Sequence, residues 1–174
     1  MQKSITKTTV KTRNKYLTTS ALFAALICVT TAYVFHIPFG ANGGYIHIGD
    51  TLIYLAAAIL PLPYAMGAAA LGGLFADLLT APIWAPFTFV IKALLACTFT
   101  SRKHNIVNKR NIVALFVAAI ISIVGYYIAE VILFGNAAAA VLSIVSSSIQ
   151  ALGSTILFVV FGLTLDKMKF KNRF

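Results

Sequence analysis

Long apolar runs separated by short polar stretches make up most of the chain. A helix needs roughly 20 consecutive apolar residues to cross the hydrocarbon core of a bilayer. The second run is too short to cross unaided, and it ends at Pro61 and Pro63. The pattern predicts an all-α membrane protein, a bundle of six transmembrane helices with a short second helix. The predicted helices are Tyr16–Phe35, Asp50–Leu60, Tyr64–Thr80, Pro86–Thr100, Ile112–Phe134 and Val141–Leu165.

The composition agrees with a lipid-exposed surface. Of the 174 residues, 60% are hydrophobic and 10% are charged, and the mean hydropathy is +0.91. An ordinary soluble domain carries roughly 25% charged residues. The length suits one helical bundle, so we predict three parts: a basic N-terminal segment at 1–15, a membrane domain at 16–166 and a basic tail at 167–174.

Fourteen Lys and Arg residues face four acidic residues, which gives a formal net charge of +10. All the basic residues except Lys92 lie before the first apolar run, between Arg102 and Arg110, or after the last run. Short cytoplasmic segments of membrane proteins collect Lys and Arg in this way. The charge pattern therefore predicts a multi-pass protein of the cell membrane with both termini in the cytoplasm, and it argues against nucleic acid as a partner.

A few polar residues interrupt the apolar runs: Asp50, Asp77, Lys92, Glu130 and Gln150. Ionisable side chains inside a membrane are costly and are functional candidates by default. All five positions fall in the half of the bundle next to the predicted outer loops. A proton or ion pathway would need polar groups through the full thickness, so this one-sided placement favours a binding cavity that opens to the exterior.

Several candidate residues also have a structural explanation, whereas Glu130 is harder to explain in that way. Asp50 follows Gly49 at a helix start, where it would serve as an N-cap. Lys92 would neutralise Asp77 or Glu130. Aromatic residues of the loops would lie at the membrane interface, and His36 and His47 would be loop residues without a role. The predicted substrate-binding residues are Asn42, Tyr45, His47, Asp50, Asp77, Trp84, Lys92, Tyr127, Glu130 and Gln150.

The sequence offers little support for catalysis. It contains no readable nucleophile–base spacing, metal-ligand cluster or phosphate-binding loop, so we predict no catalytic residue, no metal and no cofactor. Any active transport would then take its energy from a partner. Three readings stay open: a substrate-binding subunit of an importer, a stand-alone secondary carrier or channel, and a membrane enzyme acting on a lipid or prenyl substrate.

Small residues recur four positions apart in the third apolar run, as in Ala65, Ala69 and Gly73 and in the parallel row from Ala68 to Ala76. Such rows let helix backbones approach closely in lipid, and here they predict packing inside the bundle. Ala21 and Ala25 form a similar pair on the first helix.

Several stretches together resemble the substrate-binding S component of energy-coupling factor (ECF) transporters. They are ALFAALICV, GGYIHIGDTLIYLAA, GGLFADLLTAPIWAPFTFVIKALLA and GYYIAEVILFG, within a resemblance that runs from Leu17 to Lys167. The resemblance implies a six-helix subunit that binds a vitamin near the outer loops. It also implies a transmembrane coupling (T) subunit and two ATPase subunits as partners, with Ala21 and Ala25 on the face towards the coupling subunit.

The most similar branch of the family includes proteins assigned to hydroxymethylpyrimidine, pyridoxine or riboflavin. A carboxylate at Glu130 would accept hydrogen bonds from an amino-heterocycle. We therefore expect hydroxymethylpyrimidine or pyridoxine as the ligand, with riboflavin as the further candidate.

Overall fold

A computed structural model describes residues 2–34, 36–38 and 45–173 of the chain. Within these residues the fold is all-α, as predicted, with one short antiparallel hairpin of strands β1 (Ile37–Pro38) and β2 (Tyr45–Ile46). The α-helices are α1 (Gln2–Tyr33), α2 (Asp50–Ile59), α3 (Leu62–Thr80), α4 (Ala85–Cys97), α5 (Lys109–Phe134) and α6 (Ala137–Lys167). Two 3₁₀ turns, Pro82–Trp84 and Phe170–Arg173, precede α4 and follow α6.

Four segments in the described part of the chain are long and apolar enough to cross a membrane: Val10–Tyr33, Leu62–Thr80, Lys109–Phe134 and Ala140–Lys167. The helix α2 and the segment Pro82–Cys97 are apolar but shorter. Large apolar side chains on the outside of the bundle, such as Phe116, Ile120 and Leu152, are exposed. A surface of this kind suits lipid rather than water.

The bundle has two distinct ends. The hairpin end carries β1 and β2, the 3₁₀ turn before α4 and the end of α5. The last two lie together, because the ring centres of Trp84 and Phe134 are 5.9 Å apart. The basic end carries the segment between α4 and α5 and the C-terminal 3₁₀ turn. Lys171 of that turn donates hydrogen bonds to the carbonyls of Ala58 and Lys103, each at 2.7 Å.

Close packing of α3 against its neighbours depends on its small residues. Gly72 lies against α1, where an added Cβ would stand 2.8 Å from the Ala24 carbonyl oxygen and from Ile27. Ala65 and Ala69 are fully buried. The prediction that the small-residue rows of this helix pack inside the bundle is therefore confirmed.

At the basic end, the segment between α4 and α5 is folded rather than loose. The Asp166 carboxylate accepts from the backbone N–H groups of Ile106 and Val107, at 2.7 and 3.0 Å. The buried Asn111 amide donates to the carbonyls of Thr100 and Ile106. These bonds satisfy backbone groups where the helices end, and they hold α4, α5 and α6 together at this end.

The helices differ from the predicted ones chiefly at their ends. The first helix begins at Gln2 rather than Tyr16, because its polar start contains no Gly or Pro to stop it. The predicted loop from His36 to Gly49 contains the short hairpin, and the predicted loop from Ala81 to Ala85 contains a 3₁₀ turn.

Candidate functional site

A buried ion pair joins α2 to α4 below the hairpin. The Lys92 Nζ lies 2.6 Å from Asp50 Oδ1, and each side chain is 1% exposed. The second carboxylate oxygen, Oδ2, accepts a hydrogen bond from Gln150 Nε2 at 2.8 Å. Three helices thus meet through one carboxylate, and a buried charge is tolerated only when it is paired and hydrogen-bonded in this way.

The geometry corrects two expectations. The N-cap of α2 is Gly49, Asp50 is the first helical residue, and among the described residues no side chain caps this helix. The N-cap interpretation of Asp50 is therefore wrong. The expected pairing of Lys92 with Asp77 or Glu130 gives way to the pair with Asp50.

Room for the Lys92 stem comes from Gly73 on α3. An added Cβ at Gly73 would lie 2.8 Å from Lys92 Cγ and 3.0 Å from Thr88 Cγ2. A contact of 2.8 Å would force the neighbour to move, and that neighbour is the side chain paired with Asp50. The small residue at this position therefore lets α3 approach α4 without pushing Lys92 away from Asp50.

His47 closes the cluster from the hairpin side. Its side chain is buried, its backbone N–H donates to Gln150 Oε1 at 3.4 Å, and its Nδ1 accepts from the N–H of Gly49 at 3.0 Å. Burial, assisted by the nearby Lys92 and His36 and opposed by Asp50, lowers the pKa of His47 to about 3. The imidazole is therefore neutral at physiological pH, as its role as acceptor requires.

A second polar group lies beside the first. The Tyr45 hydroxyl donates to the Asp77 carboxylate, which ties β2 to the end of α3. On the next helices, the hydroxyls of Thr88 and Tyr126 lie 3.2 Å apart. Lys92 Nζ stands 5.2 Å from the centre of the Tyr126 ring, within the range of a cation–π contact. Tyr126 thus links the hydroxyls of this group to the ion pair.

Aromatic rings cover the hairpin side. His36 stacks on Tyr45 with ring centres 3.9 Å apart, and the ring centres of Tyr45 and His47 are 5.5 Å apart. Trp84 is buried and lies 6.2 Å from Tyr126. The placement of Trp84 inside the bundle disfavours the membrane-interface interpretation for that residue.

Most of the predicted site residues therefore lie in one region. The clustered residues are Tyr45, His47, Asp50, Asp77, Trp84, Lys92 and Gln150. Glu130 is buried on α5, with 8% of its surface exposed, and Tyr127 is partly buried. Asn42 lies outside the described residues.

Two members of the cluster, Tyr126 and Thr88, are absent from the predicted set. A signal for Tyr126 was available, because it lies four residues before Glu130 and so shares its helix face. Thr88 lies four residues before Lys92 in the same way. Hydroxyl residues inside an apolar run carry no charge, so a criterion based on the cost of a charge in lipid does not select them.

The functional groups of the site are carboxylates, an ammonium, an amide, an imidazole and hydroxyls, and they lie beside aromatic rings. A few placed polar groups among rings are what a small heterocyclic molecule requires of a binding site.

Comparison with known proteins places the chain in a family. The chain is 29% identical to an uncharacterized protein in the gap 3' region of Pyrococcus woesei. The alignment of 144 residues covers 81% of this chain and 95% of that protein. Residues 11–167 match the ECF-type riboflavin transporter S component family. The chain therefore belongs to the ECF-type riboflavin transporter S component family.

Proposed function

We propose that this protein captures a small heterocyclic vitamin or vitamin precursor from outside the cell and delivers it to an ATP-driven importer. The observation that carries the proposal is the buried Asp50–Lys92–Gln150 cluster closed by His47 at the hairpin end. The family's description makes riboflavin the first compound to test. Hydroxymethylpyrimidine and pyridoxine are the smaller candidates.

Entry of a ligand requires the hairpin side to move. Asp50 and Lys92 are closed off from solvent. Two contacts near β2, within the described part of the chain, lie on the hairpin side of them: Tyr45 to Asp77, and the His47 backbone to Gln150. The second of these is long for a hydrogen bond, at 3.4 Å. Breaking both would free the short segment between the hairpin and α2 while the basic end stays held by Asp166 and Lys171.

The proposed partners are a transmembrane coupling (T) subunit and two ATPase subunits. The proposed orientation has both termini in the cytoplasm and the hairpin end outside, because the basic residues cluster at the opposite end. Ala137 and Asn105 are exposed at the two ends and provide the test. In a background without Cys28 and Cys97, an impermeant thiol reagent applied to intact cells should label Ala137→Cys and spare Asn105→Cys. The reverse pattern would overturn the orientation.

The function itself is tested by binding without ATP. The purified chain in detergent is titrated by calorimetry with riboflavin, hydroxymethylpyrimidine and pyridoxine. We expect one of them to bind to the isolated subunit, whereas uptake into cells should require the partner subunits. A folded, monodisperse protein that binds none of the three would contradict the proposal, and uptake by the subunit alone would instead favour a secondary carrier.

A further inference from the structure

Two buried serines, Ser122 on α5 and Ser154 on α6, differ from several other hydroxyl residues of the helices. They are 1% and 0% exposed, and their Oγ atoms have no hydrogen-bond partner among the described residues. Buried polar groups without a partner are rare in folded proteins, and each one calls for an explanation. The free-energy cost of an unsatisfied buried hydroxyl is comparable to that of a lost hydrogen bond.

A hydroxyl on a helix can usually satisfy itself by donating to a carbonyl of the preceding turn. Other residues of this protein do so: Ser143 donates to the Ala140 carbonyl at 2.6 Å, and Ser148 donates to the Ile144 carbonyl at 2.7 Å. Ser122 and Ser154 have the same option and do not use it. Their hydroxyls are therefore available to something other than their own helices.

The two serines also continue the polar cluster towards the basic end. Ser122 lies four residues before Tyr126, and Ser154 lies four residues after Gln150, so each shares a helix face with a member of the cluster. The Ser154 carbonyl accepts from the Thr51 hydroxyl at 3.4 Å, which places Ser154 beside the first turn of α2. At 1.5 Å per residue, Ser122 is about 18 Å and Ser154 about 25 Å from the hairpin ends of their helices.

We propose that the hydroxyls of Ser122 and Ser154 form an inner subsite that hydrogen-bonds the polar edge of the ligand. This inference rests on the proposed function. A hydroxyl can donate as well as accept, so the subsite takes ring nitrogens, ring carbonyls or hydroxyl substituents, as in a planar heterocycle. The Asp50 carboxylate and the Lys92 ammonium are already paired with each other, which leaves neutral groups to make the deep contacts.

The test uses the full chain in detergent, with the variants Ser122→Ala and Ser154→Ala. Ser148→Ala is the matched control, because its hydroxyl is bonded within its own helix. Thermal unfolding is measured without ligand, and affinity is measured with whichever of riboflavin, hydroxymethylpyrimidine and pyridoxine binds the unsubstituted protein. Removal of an unpartnered hydroxyl should leave the unfolding temperature unchanged or raised, and each variant should bind roughly three- to tenfold more weakly. The control should change neither quantity.

Three results would overturn the subsite, and the third would overturn the proposed function as well. A lower unfolding temperature of Ser122→Ala or Ser154→Ala without ligand would mean that the hydroxyls already stabilise the free protein, for example through a buried water. Unchanged affinity in both variants, with binding by the unsubstituted protein intact, would refute the subsite and leave the proposed function standing. Failure of the unsubstituted protein to bind any of the three compounds would refute the proposed function, and the subsite with it.

Discussion

At the scale of single residues, the Asp50–Lys92 pair governs the stability of the site. Removing one partner leaves the other as an unpaired buried charge, which typically costs about 3–5 kcal/mol. Asp50→Asn and Lys92→Met should each lower the free energy of unfolding by about this amount. The double variant should lose less than the two losses combined, because it leaves no orphaned charge. Chemical unfolding in detergent measures all four proteins, and additive losses would contradict a coupled pair.

Glu130 is the residue that we expect to contact the ligand directly through its carboxylate. It is buried on the same helix face as Tyr126. Glu130→Gln keeps the size and removes the charge, so the loss of a charge-assisted hydrogen bond should weaken binding about tenfold to a hundredfold. Calorimetry measures the affinity, and the unfolding temperature of the variant controls for folding. Unchanged affinity in a folded variant would leave Glu130 with a structural role.

The sequence could predict which polar residues lie inside the bundle but not how they pair. Charges in apolar runs are conspicuous because lipid makes them costly, and Asp50, Lys92 and Glu130 stand out for that reason. Which of the acids meets Lys92 depends on the rotation of each helix and on which helices are neighbours. A linear pattern of apolar and polar positions determines neither the rotation of a helix nor its neighbours. The pair of Lys92 with Asp50 is therefore visible only in the folded structure.

At the scale of elements, the contact between α1 and α3 depends on one glycine. Gly72→Ala would place a Cβ 2.8 Å from the α1 backbone at Ala24, so α1 must move and the protein should be destabilised. Gly67, on the same helix, has nothing within 4 Å of such a Cβ among the described residues. Gly67→Ala should therefore gain stability, by up to about 1 kcal/mol, from helix propensity alone. Thermal unfolding compares the two, and equal effects would mean that α1 adapts freely.

Element boundaries show what hydrophobic patterning measures. The runs located the short α2 well, as Asp50–Leu60 against Asp50–Ile59, because Gly49 and Pro61 delimit it on both sides. They located the start of α1 poorly, because apolar residues mark the part of a helix that suits lipid and not the point where the helix begins. The hairpin of β1 and β2 was missed for a similar reason, since a pair of two-residue strands is too short to produce an alternating pattern.

At the scale of the whole molecule, the two ends of the bundle are built differently. Among the described residues, a Tyr45–Asp77 contact and a long hydrogen bond to Gln150 help to close the hairpin end. The basic end is fixed by Asp166 and Lys171, which bond backbone groups of α2 and of the segment between α4 and α5. We therefore expect the bundle to open at the hairpin end. A subunit that takes its ligand on one side and depends on partners for release would have this asymmetry.

Delivery to those partners is predicted to use the exposed face of α1 that carries Ala21 and Ala25. The two side chains lie one turn apart on one face, so a partner helix can approach closely there, and bulky residues would hold it away. Ala21→Trp combined with Ala25→Trp should leave ligand affinity unchanged and abolish uptake in cells that contain the coupling and ATPase subunits.

The matched control for this prediction is Ile120→Trp combined with Val124→Trp. These residues also lie one turn apart on a long helix, α5, and are 62% and 48% exposed. Tryptophans on that lipid-facing surface should leave both binding and uptake intact, which separates a specific interface from a general effect of large side chains in the membrane. Loss of binding by the isolated Ala21 and Ala25 variant would mean that this face supports the ligand-binding fold, and would contradict a role confined to the partner. If it keeps both binding and uptake, the coupling subunit must dock on another helix.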